Sequence, residues 1–308
     1  MITSKPKVSV VMPVFNREKF VADAVKSILN QSFTDFEFII IDDCSADETF
    51  KILNSINDQR IKLLKLNENR GNYYARNIGM ELAKGKYICV MDSDDIALPN
   101  RIHIQYDFME KNRQIGICGS YVKVIGSDEI ITAPTDYDEI KVWSLSNIMF
   151  RHPTVFIRAD FLNKYNLRYN DSFRYAADYD FLVKAANFFP VTNIDKVLLE
   201  YRKHPDQISS AKRKEQTEIA YLVMLSQLEY FKLEATEQEK SIHLALMNRY
   251  PVNSDFEFNK LKSWANFLLR KNTVTNHYQP VHLAWFFKSL LKNIFRTYEL
   301  KLLKNKHL

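Results

Sequence analysis

The sequence contains few cysteines and few glycines. Its three cysteines, an odd number with no Cys-x-x-Cys pair, argue against a disulfide framework and against a zinc ribbon. They favour a reducing, cytoplasmic compartment. Cys44 follows two aspartates, but its surroundings do not indicate a nucleophile, and we assign it no catalytic role. No Gly-x-Gly-x-x-Gly pattern follows the first predicted strand, which disfavours a dinucleotide-binding Rossmann site.

Long apolar runs are also missing. No run reaches the roughly 18 apolar residues that a membrane span needs, and the N-terminus has no apolar signal core. The net charge of +6 is concentrated near the C-terminus, but no nucleic-acid-binding motif accompanies it. We therefore expect no transmembrane helix, no secretory signal and no nucleic-acid partner.

The pattern of apolar residues predicts an α/β fold. Short apolar runs alternate with amphipathic stretches, as in a parallel sheet with crossover helices. The predicted strands are Val8–Met12, Phe36–Ile41, Ile61–Leu66, Lys86–Met91, Ile117–Ile125, Thr154–Ile157 and Lys196–Arg202. The predicted helices are Glu18–Asn30, Ala46–Ile56, Tyr73–Ala83, Asn100–Lys111 and Asp178–Phe188. From about Ala211 onward the sequence predicts helices only.

Polar clusters follow three of the predicted parallel strands. They are Pro13–Asn16, Asp42–Ser45 and Asp92–Asp95, and ligands of such sheets gather at the carboxyl ends of the strands. The carboxylates of the last cluster would repel one another unless a cation or donor groups satisfied them. Mg²⁺ or Mn²⁺ would be the natural partner, since both ions take oxygen ligands. The alternative to a metal site is a solvated acidic turn at this cluster, with Pro99 at the start of the next helix.

These clusters belong to segments that resemble the family 2 glycosyltransferases with the GT-A fold. The segments are VSVVMPVFNRE at 8–18, SILNQSFTDFEFIIIDDCSADET at 27–49, NRGNYYARNIGMELAKGKYICVMDSDD at 69–95 and AADYDF at 176–181. The resemblance implies a GT-A domain at 1–210, built on a Rossmann-like mixed sheet flanked by helices. Its nucleotide-binding half would be 1–115 and its acceptor-side half 116–210. A C-terminal helical region with a basic tail would occupy 211–308.

The resemblance implies roles for the residues at the strand ends. Pro13, Phe15 and Asp43 would hold the nucleotide base, Asp43 by accepting a hydrogen bond from a ring N–H. Asp94 would contact the ribose, Asp95 would ligate the metal that bridges the diphosphate, and Asp92 could serve with either.

The helix that follows the predicted third strand also matches the family pattern. Arg76 could reach the diphosphate, or it could form a surface ion pair. The N–H groups near Arg70 and Gly71 would suit a negatively charged neighbour. Asn77 and Gly79 would serve close packing of the helix on the sheet.

The general base is the next role that the resemblance implies. Asp178 matches the aspartate of the family's Glu-Asp pair, although Ala177 replaces the glutamate. Asp180 is the competing candidate, and the two side chains cannot both face one site because they lie two residues apart on a helix. An N-terminal helix charge would be the structural alternative for Asp178.

Two histidines complete the candidates. Tyr201–Ser209 resembles the family's late YRxH element, so His204 would reach the metal or the diphosphate. His152 resembles an element near the acceptor cleft, where a structural turn is the alternative.

The chain ends in a predicted basic amphipathic helix. Its apolar positions are Phe287, Leu290, Leu291, Ile294, Phe295, Tyr298 and Leu302, and its basic positions are Lys288, Lys292, Arg296, Lys301 and Lys304. Such a helix suits an anionic membrane surface, or it packs on the protein with a solvated basic face.

The expected function is an inverting, metal-assisted transfer of a hexose or N-acetylhexosamine. The donor would be a nucleotide-diphosphate sugar, UDP-linked by preference, and the acceptor a saccharide or lipid-linked saccharide in bacterial polysaccharide or lipooligosaccharide synthesis. Two alternatives stay open. A sugar nucleotidyltransferase should show a Gly- and Arg-rich loop after the first strand, which is missing here, and a sugar-nucleotide-binding protein would lack transfer activity.

Overall fold

The computed structural model describes residues 5–204, 207 and 212–305, with side chains up to residue 300. It divides into two compact units. The first contains the described residues up to Tyr137 together with Ile148–Gln216, and the second contains Asp138–Asn147 and the described residues from Thr217 onward. The division lies six residues beyond the expected boundary at 210 (216 − 210 = 6), and a short segment from before that boundary groups with the C-terminal helices.

The first unit is built on one mixed sheet of nine strands. They are β1 (Val8–Val14), β2 (Phe36–Asp42), β3 (Ile61–Lys65), β4 (Tyr87–Val90), β5 (Ile96–Ala97), β6 (Ile117–Val124), β7 (Ile130–Ile131), β8 (Phe156–Arg158) and β9 (Val191–Tyr201). Their order is β3-β2-β1-β4-β8-β6-β9-β5, and β7 pairs with β6. The first four strands are parallel, whereas β8 runs antiparallel to both β4 and β6. The expected α/β class with a mixed sheet flanked by helices is confirmed.

Helices flank this sheet. Those of the first unit are α1 (Val21–Leu29), α2 (Thr49–Asn54), α3 (Asn72–Leu82), α4 (Arg101–Lys111), α6 (Ala159–Lys164) and α7 (Ala177–Phe188). Every residue of β1, β2 and β4 is buried, which fits strands covered on both faces. A Cβ atom on Gly79 would lie 2.5 Å from Cγ1 of Val11, so glycine lets α3 approach β1 closely.

Short and irregular strands account for differences from the sequence prediction. β5 and β7 have only two residues each and were not predicted, because two residues carry no usable periodicity. β9 begins at Val191, five residues before the predicted start (196 − 191 = 5), and its ladder with β6 contains register shifts near Ser120 and Tyr121 that interrupt the alternation. β5 pairs antiparallel with β9, which brings the end of β9 beside the acidic cluster.

The second unit is helical. It contains most of α5 (Tyr137–Trp143) and α8 (Arg213–Ser226), followed by α9 (Glu237–Met247), α10 (Asp255–Thr275) and α11 (Pro280–Asn305). Segment 138–147 belongs here because Nε2 of Gln227 donates to the carbonyl of Ser144 at 3.0 Å and Trp143 packs on Phe286 at 5.1 Å between ring centroids. Among the described residues, no helix is long and apolar enough to cross a bilayer.

The final helix uses its apolar stripe for packing within this unit. Leu283, Phe286, Phe287, Leu290, Ile294 and Tyr298 are buried. Most of the apolar positions of this helix, which were candidates for membrane contact, are therefore buried within the protein. Leu302, Lys301 and Lys304 lie outside the residues whose side chains are described.

Candidate active site

A cavity of about 690 Å³ opens at the carboxyl ends of the parallel strands. Its lining follows β1 through Phe15, β2 through Asp43 and β4 through Asp92. The lining acids are Asp43, Asp92, Asp94 and Asp178, and the lining cations are Arg17, Arg151, Arg174, Arg202 and Lys212. Charges of both signs thus meet in one concave site, as binding of a charged ligand together with a cation would require.

Asp43 occupies the β2 end of this cavity. Its two carboxylate oxygens accept hydrogen bonds from the backbone N–H groups of Arg70 at 2.9 Å and Gly71 at 2.8 Å. The expected negative neighbour of these N–H groups is therefore Asp43 itself. Burial raises the pKa of the Asp43 carboxyl, and the two backbone donors act in the opposite direction. Each carboxylate oxygen has a further lone pair, so Asp43 can still accept from a ligand.

Pro13 and Phe15 line the cavity next to Asp43. Phe15 is 41% exposed, which leaves a free aromatic surface at the mouth of the site.

Gly71 has φ +95°, a conformation that favours glycine, and a Cβ there would lie 3.3 Å from Nε of Arg174. Arg174 in turn donates to Oδ1 of Asn69 at 2.8 Å.

Asp94 lies between two basic side chains. Its Oδ2 atom is 3.3 Å from Nε of Arg17 and 3.0 Å from Nε2 of His204. The antiparallel pairing of β5 with β9 explains how His204 reaches Asp94 from a distant part of the sequence. Of the element 201–209, residues 205, 206, 208 and 209 lie outside the described part of the chain.

Asp95 does not line the cavity and is only 1% exposed. Its Oδ1 atom accepts from the backbone N–H of Arg202 at 2.9 Å, and its buried Oδ2 atom has no hydrogen-bond partner among the described residues. Burial raises the pKa of the Asp95 carboxyl well above its usual range, and the neighbouring Asp94 and Asp92 raise it further. Binding a cation would relieve all three effects.

The chemistry of these donors fits a hard divalent cation, because carboxylate oxygens and an imidazole are available. Their arrangement differs from the expected one, since His204 contacts Asp94 rather than Asp95. In the described ranges, no three His, Cys, Asp or Glu side chains converge on one point.

The position of Arg76 fits neither of the two roles that the sequence suggested, a contact with the diphosphate or a surface ion pair. It is fully buried and lies outside the cavity lining, so it forms neither a direct cavity contact nor a surface ion pair. One guanidinium nitrogen donates to Oδ1 of Asp92 at 2.5 Å, and another lies 3.2 Å from Nδ1 of His152. Because arginine only donates, Nδ1 accepts, and the Nε2–H group of His152 donates to the Tyr169 hydroxyl at 2.9 Å. Arg76 therefore bonds Asp92 from outside the cavity lining.

His152 has a defined environment on both ring nitrogens. It lies in a single 3-10 turn, His152–Thr154, and also lines the cavity. Burial, followed by the charge of Arg76, lowers the pKa of His152 well below its usual range, so the imidazole is neutral. The structural turn and the position near the cavity are thus both present.

The structure distinguishes the two candidate bases. Asp178 lines the cavity and accepts at Oδ1 from the N–H of Tyr179 at 2.9 Å. Burial raises the pKa of the Asp178 carboxyl, while the nearby Tyr73 hydroxyl acts in the opposite direction. Asp180 lies outside the lining and pairs with Nζ of Lys184 at 2.7 Å.

Several cavity residues were not singled out from the sequence. Arg17 and Tyr73 lie inside the matched segments FNRE and NYYARN, so the motif itself was the available signal. Arg151, Arg174 and Lys212 lie outside any recognised pattern and become visible only when the chain is folded.

The chain is similar to known proteins. A family model described as Glycosyl transferase family 2 matches residues 9–174. An uncharacterized glycosyltransferase of Haemophilus influenzae is 30% identical over 299 residues, which is 91% of this chain and 93% of its own length. The Escherichia coli protein WfgD, a UDP-Glc:alpha-D-GlcNAc-diphosphoundecaprenol beta-1,3-glucosyltransferase, is 31% identical over 214 residues, covering 68% of this chain and 81% of its own.

The fold has a counterpart among solved structures. The crystal structure of S. aureus TarS in complex with UDP-GlcNAc superposes with a TM-score of 0.63 at 20% identity, covering 95% of this chain and 90% of that chain. This likeness concerns the fold, which is the GT-A fold.

Proposed function

Because this chain belongs to glycosyl transferase family 2, we propose that it moves a hexose or N-acetylhexosamine from a nucleotide-diphosphate sugar to an acceptor hydroxyl. The observation that carries this proposal is one cavity that is lined by Asp43 at its β2 end, by Asp92 and Asp94 of the acidic cluster, and by the separate carboxylate of Asp178. These are the three groups that donor binding, diphosphate departure and proton removal would need.

A UDP-sugar is the donor we propose. Pro13 and Phe15 would cover the faces of the base, and Asp43 would accept from a ring N–H of uracil with a lone pair that Arg70 and Gly71 leave free. The names of two similar proteins support this choice, since WfgD is described with UDP-Glc and TarS was crystallised with UDP-GlcNAc.

Asp94 would contact the ribose, and Asp95 with His204 would ligate Mn²⁺ or Mg²⁺. The metal would neutralise charge on the leaving nucleotide diphosphate. Arg17 and Arg202 line the same side of the cavity and would add positive charge beside the diphosphate. Arg76 would act on this side only through Asp92, because it does not reach the cavity.

Asp178 would act as the general base of an inverting transfer. Its carboxylate faces the cavity, so it can take the proton of the acceptor hydroxyl while the sugar carbon is attacked from the face opposite the diphosphate. Burial raises the pKa of Asp178, which increases its affinity for that proton. The absence of a glutamate at Ala177 leaves this role intact.

The acceptor we propose is a saccharide or a lipid-linked saccharide in bacterial polysaccharide or lipooligosaccharide assembly. The name of WfgD describes a diphosphoundecaprenol-linked acceptor. A place at the cytoplasmic face of the membrane would bring the enzyme to such a substrate.

The outward face of α11 supports this location. Trp285 is 51% exposed and Phe295 is 39% exposed, and Lys288, Lys292 and Arg296 share their side of the helix. Aromatic residues with lysine and arginine are the composition that binds an anionic bilayer surface. This face, rather than the packed stripe, is the one we propose for membrane contact.

Calorimetric titration with UDP tests the donor site. We expect wild type to bind UDP in Mn²⁺ and to lose most of the affinity in EDTA. Asp43→Asn should weaken binding at least about tenfold, because a carboxylate acceptor is replaced by an amide. Asp128→Asn, at a fully exposed side chain outside the cavity, is the charge-matched control. Equal affinity of wild type and Asp43→Asn would remove Asp43 from the base-binding role.

The two alternatives give different results. A sugar-nucleotide-binding protein would bind UDP but release none from a UDP-sugar, with or without acceptor. A nucleotidyltransferase would instead consume nucleoside triphosphate and sugar phosphate and release inorganic diphosphate.

A further inference from the structure

Arg174 lines the cavity with most of its hydrogen-bond donors available. Two other cations of the lining, Arg17 and Lys212, each pair with a carboxylate. Within the described residues, the guanidinium of Arg174 instead makes one hydrogen bond, to the neutral Oδ1 atom of Asn69 at 2.8 Å. Its side chain is exposed, and an arginine has five N–H donors. A ligand in the cavity can therefore accept hydrogen bonds from Arg174.

The side chain of Arg174 lies at the Asp43 end of the cavity. It packs over Gly71, where an added Cβ would be 3.3 Å from Nε and 3.4 Å from Cγ of Arg174. The Gly71 N–H group donates to Oδ2 of Asp43 at 2.8 Å. Asn69, the acceptor of the Arg174 bond, donates its side-chain amide to the backbone carbonyl of Asp43 at 3.2 Å. Two short chains of contacts thus connect the guanidinium to Asp43.

The charges of Arg174 and Asp43 also influence each other. Burial raises the pKa of the Asp43 carboxyl, and the positive charge of Arg174 is among the influences that oppose this rise. A carboxylate acceptor and a guanidinium donor therefore lie side by side at this end of the cavity.

The edge of a uracil ring carries the complementary pattern. Its N3–H group is a donor, and a carbonyl oxygen flanks it on either side. If Asp43 accepts from N3–H, a donor next to Asp43 meets one of these oxygens. Cytosine has no hydrogen on N3 and carries an amino group in place of one carbonyl, so it presents the wrong partners to this pair.

We propose that Arg174 is a further nucleotide-binding residue that determines base specificity: its guanidinium donates to a uracil carbonyl oxygen while Asp43 accepts from N3–H. This inference rests on the proposed function, because it requires a UDP-sugar donor. Arg174 belongs to segment 116–210, which the sequence assigned to the acceptor side. Recognition of the donor would therefore use residues from both halves of the domain.

Calorimetric titration in Mn²⁺ near neutral pH tests this inference, with UDP, 2-thio-UDP and 4-thio-UDP as probes. In each thio analogue, sulfur replaces one carbonyl oxygen of the base and is a much weaker acceptor. Arg174→Met removes every donor and keeps an unbranched side chain. Arg168→Met is the matched control, since Arg168 precedes the same helix, bonds Asn163 and the carbonyl of Leu167, and lies outside the cavity lining.

We expect Arg174→Met to bind UDP about tenfold or more weakly than wild type, because a hydrogen bond from a charged donor is lost. Arg168→Met should bind UDP as wild type does. One of the two thio analogues should bind wild type about fivefold or more weakly than UDP. This difference should disappear in Arg174→Met, where no donor remains to distinguish oxygen from sulfur.

Three results would overturn the inference and leave the UDP site in place. They are equal UDP affinity of wild type and Arg174→Met, an equal loss in Arg174→Met for UDP and both analogues, and wild type that binds both analogues as tightly as UDP. The second result would place the contact at the ribose or the diphosphate, and the third needs no variant to fold. Wild type that binds no UDP would instead overturn the proposed donor together with this inference.

Discussion

The carboxyl group of Asp95 is buried, and the negative charges of Asp92 and Asp94 lie near it. Since its pKa is raised in the folded protein, the protonated form stabilises the fold, and this stability is lost as pH rises through the folded pKa. We expect the free energy of unfolding of Asp95→Asn in EDTA at neutral pH to exceed that of wild type by about 1–2 kcal/mol, so the variant should unfold at a higher temperature. The difference should vanish below the ordinary carboxyl pKa of about 3.9.

The same substitution should remove activity, because an asparagine side chain at this position would be a neutral and poorer ligand for a divalent ion. Asp128→Asn, at an exposed position, should change neither property. An Asp95→Asn protein that is less stable than wild type at neutral pH in EDTA would contradict our claim that the ionised, buried Asp95 carboxylate destabilises the metal-free fold.

Asp178 is the second residue whose replacement separates two functions. Asp178→Asn should lower donor turnover about 10²- to 10⁴-fold, the range of general base catalysis, while calorimetry still shows UDP binding. Asp180→Asn is the comparison on the same helix, since Asp180 pairs with Lys184 and lies outside the cavity lining. Undiminished turnover in Asp178→Asn would exclude it as the base.

At this scale the sequence predicted which residue types gather, but not how they pair. The matched segments named Asp43, Asp94 and Asp178, and all three line the cavity. They could not reveal that Arg76 reaches Asp92 and His152 instead of the cavity, because that depends on the direction of a buried side chain. Whether Asp43, Asp95 and His204 bind donor and metal stays a prediction.

Helix α3 carries Tyr73, which lines the cavity, and Arg76, which bonds Asp92, and it packs on β1 through Gly79. Gly79→Ala should destabilise the protein by about 1–3 kcal/mol, because the added Cβ would lie 2.5 Å from Cγ1 of Val11. Urea unfolding of Gly79→Ala, Val11→Ala and the double variant measures this contact. The double variant should lose less than the sum of the single losses, whereas strict additivity would show that the contact is not limiting.

The elements that the sequence predicted best were the parallel strands at the start of the chain. The parallel strands β1, β2 and β3 were predicted to within two residues at each end, because buried parallel strands are continuous apolar runs. The two-residue strand β5 was missed, and with it the pairing that brings His204 to Asp94. Non-local pairing of this kind leaves no local pattern in the sequence.

At the scale of the whole molecule, the exposed basic and aromatic face of α11 should decide membrane binding. Lys288→Glu, Lys292→Glu and Arg296→Glu together should abolish cosedimentation with vesicles of phosphatidylglycerol and phosphatidylcholine. Each cation near an anionic surface contributes about 1 kcal/mol, and binding should weaken with salt. Replacing Lys260, Lys262 and Arg270 of α10 by glutamate is the matched control. Equal sedimentation of both triple variants and wild type would contradict membrane contact through this face.

The most direct test of the central claim is release of nucleotide diphosphate by the purified protein across a panel of nucleotide sugars. It should be measured in Mn²⁺ and in EDTA, for wild type and Asp95→Ala. We predict release from one UDP-sugar in Mn²⁺, none in EDTA and none with Asp95→Ala. Release that is equal in EDTA and in Asp95→Ala would contradict a metal-assisted transferase, and no release together with no nucleotide binding would contradict the donor site itself.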